Sequence, residues 1–121
     1  MNLEEFKGKS VVVTGAAAGM GKAITHGFLE NGATVIGVDI KEEALSAFKE
    51  ELKKNDVKTA ERFIPLTGDI SKEETNEAMV QKAVDVTGKI DILVNNAGVA
   101  GHSEPVTETT NEDWNRILRV N

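Results

Sequence analysis

The chain has 121 residues, no cysteine and a formal charge of −6, with 40% hydrophobic and 28% charged residues. That is the make-up of one modest globular domain, and its acidic balance argues against nucleic acid and anionic membrane surfaces, which need basic patches. The missing cysteines remove disulfides and thiolate metal sites, the amino terminus lacks a signal peptide's basic start and apolar stretch, and no apolar run approaches the roughly 20 residues of a membrane span, so a cytoplasmic location is expected.

Ser10 to Thr14 reads as a first strand, a continuous β-branched run of the kind a parallel sheet covers on both faces. A glycine turn follows, Thr14-Gly15-Ala16-Ala17-Ala18-Gly19-Met20-Gly21. Met20, Ala23, Ile24, Gly27 and Phe28 then recur at helical spacing until Asn31-Gly32 supplies a stop. Thr34 to Asp39 is the second strand, and Ala44, Leu45, Phe48 and Leu52 mark a second helix ending near Asn55. Arg62 to Leu66 is the third strand, placed at an edge by Pro65, which has no N–H for a ladder. Ser71-Lys72-Glu73-Glu74 has capping-box spacing and opens a helix carrying Ala78, Met79, Ala83 and Val86. Ile90 to Val94 is the fourth strand, running into Asn95-Asn96-Ala97-Gly98. After a polar loop, Thr110 caps a last helix with Trp114, Ile117 and Leu118 facing inward. The chain stops at Asn121 with that pattern still running and no glycine or proline to end it, which points to an amino-terminal part of a longer protein.

Strands alternating with helices imply βαβ units, right-handed crossovers and a three-layer α/β fold around a parallel sheet. The expected strand order is 3-2-1-4, with ligands bound at the carboxyl ends of the strands where the order reverses. The glycine turn and the segment from Asn95 to Gly98 would face each other there. Gly15, Gly19 and Gly21 allow a tight turn and bring bare N–H groups, with those of Met20 and the helix dipole, up to a phosphate. Asp39 stands where an acid would hold a ribose in a dinucleotide site, although Asp39-Ile40-Lys41-Glu42 also fits a capping box. A carboxylate there accepts from the ribose hydroxyls and repels a 2′-phosphate, and position 18 is alanine rather than a basic residue. Lys41 does not remove that carboxylate, so the expected cofactor is NAD, with NADP second.

Thr14-Gly15-x-x-x-Gly19-x-Gly21, then Asp39, Asp69, Asn95-Asn96-Ala97-Gly98 and Asn121 resembles the short-chain dehydrogenase/reductase family along the whole chain. The resemblance implies a Rossmann-like domain over residues 1–121, the NAD(P)-binding half of an oxidoreductase that exchanges hydride between alcohol and carbonyl. It assigns Asn121 to the family's catalytic asparagine, which orders a proton relay, and places Asp69 beside the adenine, where it could equally brace its own turn. Asn95 and Gly98 divide between holding the central sheet and lining the cofactor; by the same resemblance Asn95 is mainly structural, while the Ala97-Gly98 backbone lies against the cofactor. The family's remaining catalytic serine, tyrosine and lysine are absent; this chain has no tyrosine. Reducing a carbonyl needs a proton donor, so the 121-residue chain alone is expected not to turn over.

No other grouping replaces that set. His26 reads as a surface or helix-packing residue, His102 lacks an orienting acid, and two histidines without cysteine argue against zinc. Trp114 reads as core and Lys53-Lys54 as a solvated face. Competing readings are a non-catalytic NAD-binding module and an assembly protein. An unpaired fourth strand with Ile92, Leu93 and Val94, together with a last helix whose Trp114, Ile117 and Leu118 would be only partly covered, makes a homo-oligomer the expected state.

Overall fold

The computed structural model describes residues 4–98 and 105–121. In chain order it holds β1 (Ser10–Thr14), α1 (Gly19–Glu30), β2 (Thr34–Asp39), α2 (Glu42–Asn55), α3 (Val57–Glu61), β3 (Phe63–Thr67), α4 (Glu73–Thr87), β4 (Ile92–Val94), a single 3-10 turn (Val106–Glu108) and α5 (Asn111–Val120). The four strands are parallel in the order β3-β2-β1-β4. This is the doubly wound arrangement expected from the alternation of strands and helices.

Both faces of the central strands are covered, which is why their sequence is apolar without alternation. Val11, Val13 and Val35 pack on one side with Leu29 of α1 and with Leu45, Phe48 and Leu52 of α2. Val12, Ile36 and Val38 pack on the other with Ala83 and Met79 of α4. The sheet therefore lies between two helical layers. Phe48 and Phe63 stack at 4.8 Å between ring centres, and His26 joins Phe48 at 5.0 Å, the packing role expected of it.

Several boundaries differ from the sequence reading. β4 begins at Ile92 rather than Ile90, since the Ser10 N–H donates to Asp91 Oδ2 at 2.7 Å and only then does the ladder start. β3 runs one residue later than expected because Arg62 closes α3, a helix too short to show periodicity. Asp56 caps it, accepting from the Lys58 N–H at 3.0 Å. Arg62 Nη1 then donates to the Leu29 and Ala33 carbonyls at 2.7 and 2.8 Å, tying the end of α1 to β3. Pro65 sits in an edge strand, as a missing N–H requires.

Two expected capping boxes do not form. Ser71 turns its hydroxyl to Asp69, and α4 starts behind Lys72 with no side-chain cap. Asp39 likewise stays outside α2, whose cap position is Lys41. At α5 the Thr110 cap does form, its hydroxyl accepting from the Asp113 N–H at 3.0 Å. The inward placement of the α5 apolar residues does not hold: Trp114 is 53% and Leu118 64% exposed, while Ile117 is half-buried. Among the described residues, the sheet ends at β4 and no element covers that side of α5.

Candidate nucleotide-binding site

The site begins where β1 ends. Gly15 and Gly19 have φ of +66° and +56°, a left-handed backbone that a side chain would strain. Gly21 is demanded by space: a methyl there would overlap the Gly15 carbonyl oxygen and stand 2.6 Å from Asn96 Nδ2. That absence of a side chain lets the first turn of α1 lie against the end of β1. α1 starts behind Ala18, an extended residue without a side-chain cap bond, and its first turn holds no acid. By contrast α2, α4 and α5 each carry two carboxylates in their first turns. The positive end of the α1 dipole is thus left without a carboxylate of its own.

The turn is held from two sides. From β2, the Val38 carbonyl accepts from the Ala16 N–H at 3.1 Å and Asp39 Oδ2 from the Ala17 N–H at 3.0 Å. Asp39 Oδ1 accepts from the Lys41 N–H at 3.0 Å, which fixes the carboxylate at the strand end. From β4, Asn96 Nδ2 donates to the Thr14 and Gly15 carbonyls at 3.2 and 3.3 Å. Buried Thr14 completes the knot: Oγ1 accepts from the Asn96 and Ala97 N–H groups, both at 3.1 Å, and donates to the Val94 carbonyl at 3.4 Å. Its hydroxyl is thereby fully used, so Thr14 positions the turn rather than offering a group to a ligand. The bracing asparagine is Asn96, while Asn95 is exposed. The sequence reading gave that part to Asn95, because adjacent asparagines are distinguished only by which one points back at β1.

These elements enclose a cavity of about 630 Å³ at the carboxyl ends of the strands. Gly15, Asp39 and Ile40 line it from the β1 and β2 ends, Gly68 to Ser71 from β3, and Asn96 to Gly98 from β4. Asp69 Oδ1 accepts from both the hydroxyl and the N–H of Ser71, at 2.7 and 2.9 Å, and these bonds hold its carboxyl below the usual carboxylate range. α5 closes the remaining wall with Glu112, Arg116, Arg119 and Val120, a contribution the sequence reading missed. Their spacing marks one helical face and could have been read as such.

Gly19, Met20 and Gly21 stand at the start of α1 outside the cavity wall, with Met20 74% exposed. Asn121 lies beside Gly98, where an added methyl would come 3.3 Å from Asn121 Oδ1. His102 and Ser103 fall outside the described residues. Among the described residues no group of histidines and acids is arranged to hold a metal ion, and no helix is long and apolar enough to cross a membrane.

A parallel sheet with a glycine turn opening onto an uncapped helix, and an acid at the end of the next strand, defines a Rossmann-type dinucleotide fold. The comparisons carry this to the family. Residues 9–121 match the family model described as short chain dehydrogenase, and the chain belongs to that family, whose members are oxidoreductases that bind nicotinamide cofactors and act on small molecules. It is 39% identical over 114 residues to a 3beta-hydroxysteroid dehydrogenase 2 of Eggerthella lenta, covering 94% of this chain and 42% of that protein. A short-chain dehydrogenase/reductase from Brucella melitensis, described as a glucose/ribitol dehydrogenase, superposes with a TM-score of 0.86 at 32% identity, over 99% of this chain and 48% of the other. The C-domain, with NADP, of a bacterial malonyl-CoA reductase superposes with a TM-score of 0.91 at 27% identity, over 98% of this chain and 19% of the other. The chain spans less than half the length of the curated relatives it matches.

Proposed function

We propose that this chain is the cofactor-holding part of an NAD(H)-dependent oxidoreductase that exchanges hydride between an alcohol and a carbonyl compound. The observation that carries this reading is the Asp39 carboxylate, anchored by the Ala17 and Lys41 N–H groups in the wall of a cavity that Gly15 also lines. The fit to a dinucleotide rests on that carboxylate, on the space kept open by Gly21, and on an α1 terminus lacking its own acid. In this reading the N–H groups of Gly19, Met20 and Gly21 hold the pyrophosphate, and Asp39 accepts from the ribose hydroxyls. Asp69, kept ionised and oriented by Ser71, borders the adenine, and the Ala97-Gly98 backbone runs along the dinucleotide. When bound, the nicotinamide supplies the hydride donor or acceptor. Asn121 is the chain's own contribution to the proton relay, in which its amide orders the group that carries the proton. The tyrosine that would donate that proton is not in these 121 residues.

Calorimetric titration with NAD and NADP tests the assignment. Binding of NAD ahead of NADP is expected, reversed or levelled in Asp39→Arg; preference for NADP in the unaltered chain contradicts the role given to Asp39. Purified alone, the chain should bind NAD without steady turnover of secondary alcohols or ketones. Sustained NADH formation abolished by Gly19→Asp would overturn the latter expectation and return attention to His102.

A second reading concerns assembly. Leu93 on β4 and Trp114 and Leu118 on α5 are about half exposed or more. An apolar strand edge beside an apolar helix face is a template for another chain, which favours a homo-oligomer. Light scattering across a dilution series should report a dimer or larger species; a strict monomer at high concentration removes this reading.

A further inference from the structure

The chain has three arginines. Arg62 is used inside the fold, its guanidinium bound to the Leu29 and Ala33 carbonyls. The other two, Arg116 and Arg119, lie three residues apart on α5 and both line the cavity. Among the described residues they are the only basic groups in its wall; no lysine or histidine joins them. The lysine nearest the glycine turn in sequence, Lys22, is committed elsewhere, with Nζ 2.8 Å from Glu51 Oε2 and 5.2 Å from the centre of the Phe48 ring.

The other ionisable groups in the wall are Asp39, Asp69 and Glu112. On a chain of net charge −6, such a wall opposes a ligand that brings phosphate groups of its own. Backbone N–H groups of the glycine turn can bond a phosphate but carry no formal charge. Within the lining, formal positive charge comes from α5 alone, whose arginines border the cavity while Trp114 and Leu118 are left outside it. Arg116 Nη2 also lies 3.4 Å from Asp113 Oδ1, a long contact between residues three apart on α5.

We propose that Arg116 and Arg119 form a counter-charge wall that recognises the phosphate groups of the dinucleotide, making α5 a determinant of nucleotide affinity. This inference rests on the cavity's being the dinucleotide site. A guanidinium attracts a phosphate through charge-assisted hydrogen bonds and through the longer-range field, and the second part survives replacement by lysine.

Calorimetry on the 121-residue chain, with NAD, NADP and adenosine as probes, tests the proposal. R116Q/R119Q should weaken NAD binding about five- to tenfold, a loss that shrinks as added salt shortens the screening length to about 10 Å at 0.1 M. Adenosine, which has no phosphate, should bind the variant and the unaltered chain alike, and R116K/R119K should recover most of the NAD affinity. A larger loss for NADP than for NAD would assign the wall to the 2′-phosphate as well as the pyrophosphate; an equal loss confines it to the pyrophosphate. Unchanged NAD affinity in R116Q/R119Q overturns the proposal, as does an equal loss for adenosine, which would mean contact with the base alone. Failure of the unaltered chain to bind either NAD or adenosine is a different result, since it removes the dinucleotide site itself and the proposal with it.

Discussion

Between β1 and β3 the inward side chains are covered almost completely: Val11, Val35 and Phe63 show no exposed surface and Phe48 only 1%. The charged residues of that region are drawn into the same task, with Lys49 Nζ donating to the Phe63 carbonyl at 2.6 Å and Arg62 bridging two carbonyls. Burial pushes the Lys49 ammonium below its ordinary pKa. Along α5, no residue is buried. The proposed site draws on both regions, taking its phosphate turn and Asp39 from the first, Asp69 from just beyond β3, and Arg116, Arg119 and the adjoining Asn121 from the second. A change in the first should therefore alter stability and nucleotide binding together. A change in the second should alter binding while leaving the fold intact.

The largest expected effect sets the two regions directly against each other. Phe48→Ala should cost about 3–5 kcal/mol, through lost burial and the cavity left between α1, α2 and β3. Leu118→Ala, on the open side of α5, should change stability by less than about 0.5 kcal/mol. Denaturant unfolding of both variants decides the matter, and comparable losses would mean that α5 is packed as firmly as the core.

Gly21→Ala comes next, at about 3 kcal/mol, because the added methyl must displace the Gly15 carbonyl or the Asn96 amide. NAD affinity should fall with it. Gly27→Ala is its control, a helical position with open space around the added methyl. It should gain about 0.5–1 kcal/mol, since glycine in a helix interior is entropically costly. Thr14→Val should cost about 1–3 kcal/mol by leaving the Asn96 and Ala97 N–H groups without their acceptor. A Thr14→Val chain of full stability and weakened NAD binding would reverse the positioning role assigned here.

The smallest effect is one of pH. The Ser10 N–H, and after it Lys89, hold the Asp91 carboxyl below its ordinary range. A carboxylate with a depressed folded pKa contributes stability that is present above its unfolded value and lost as pH falls through the folded one. Asp91→Asn should accordingly flatten the acid side of the stability curve, from the ordinary carboxylate value of about 4 downward. An unchanged slope in melts over that range would show that the Ser10 bond is indifferent to charge.

The core was readable in sequence because its signals repeat: a run of valines, a period of three to four in each helix, a glycine at each sharp turn. Pro65 marked the edge strand for an equally local reason. What escaped was decided by competition between alternative partners, near or distant in sequence. Ser71 could cap α4 or bond Asp69, and only the fold shows the second winning. Asp39 could cap α2 or take the Ala17 N–H, which comes within reach once β1 and β2 pair. Asn95 and Asn96 are chemically identical, and the pairing of β4 with β1 selects which one reaches Thr14. The apolar side of α5 was expected inward but only partly covered, and Trp114 and Leu118 do stay exposed; what its periodicity did not reveal is that the charged side meets the cavity.

The central claim is that the strand ends and α5 together make one nicotinamide-dinucleotide site. Amide NMR shifts of the chain titrated with NAD test it most directly, residue by residue. The account predicts saturable shifts at Gly19, Met20 and Gly21, at Asp39 and Asp69, at Ala97 and Gly98, and along α5 at Arg116 and Arg119, with Lys53 and Lys54 unmoved. Shifts clustered away from these positions, or none at millimolar NAD, would contradict it.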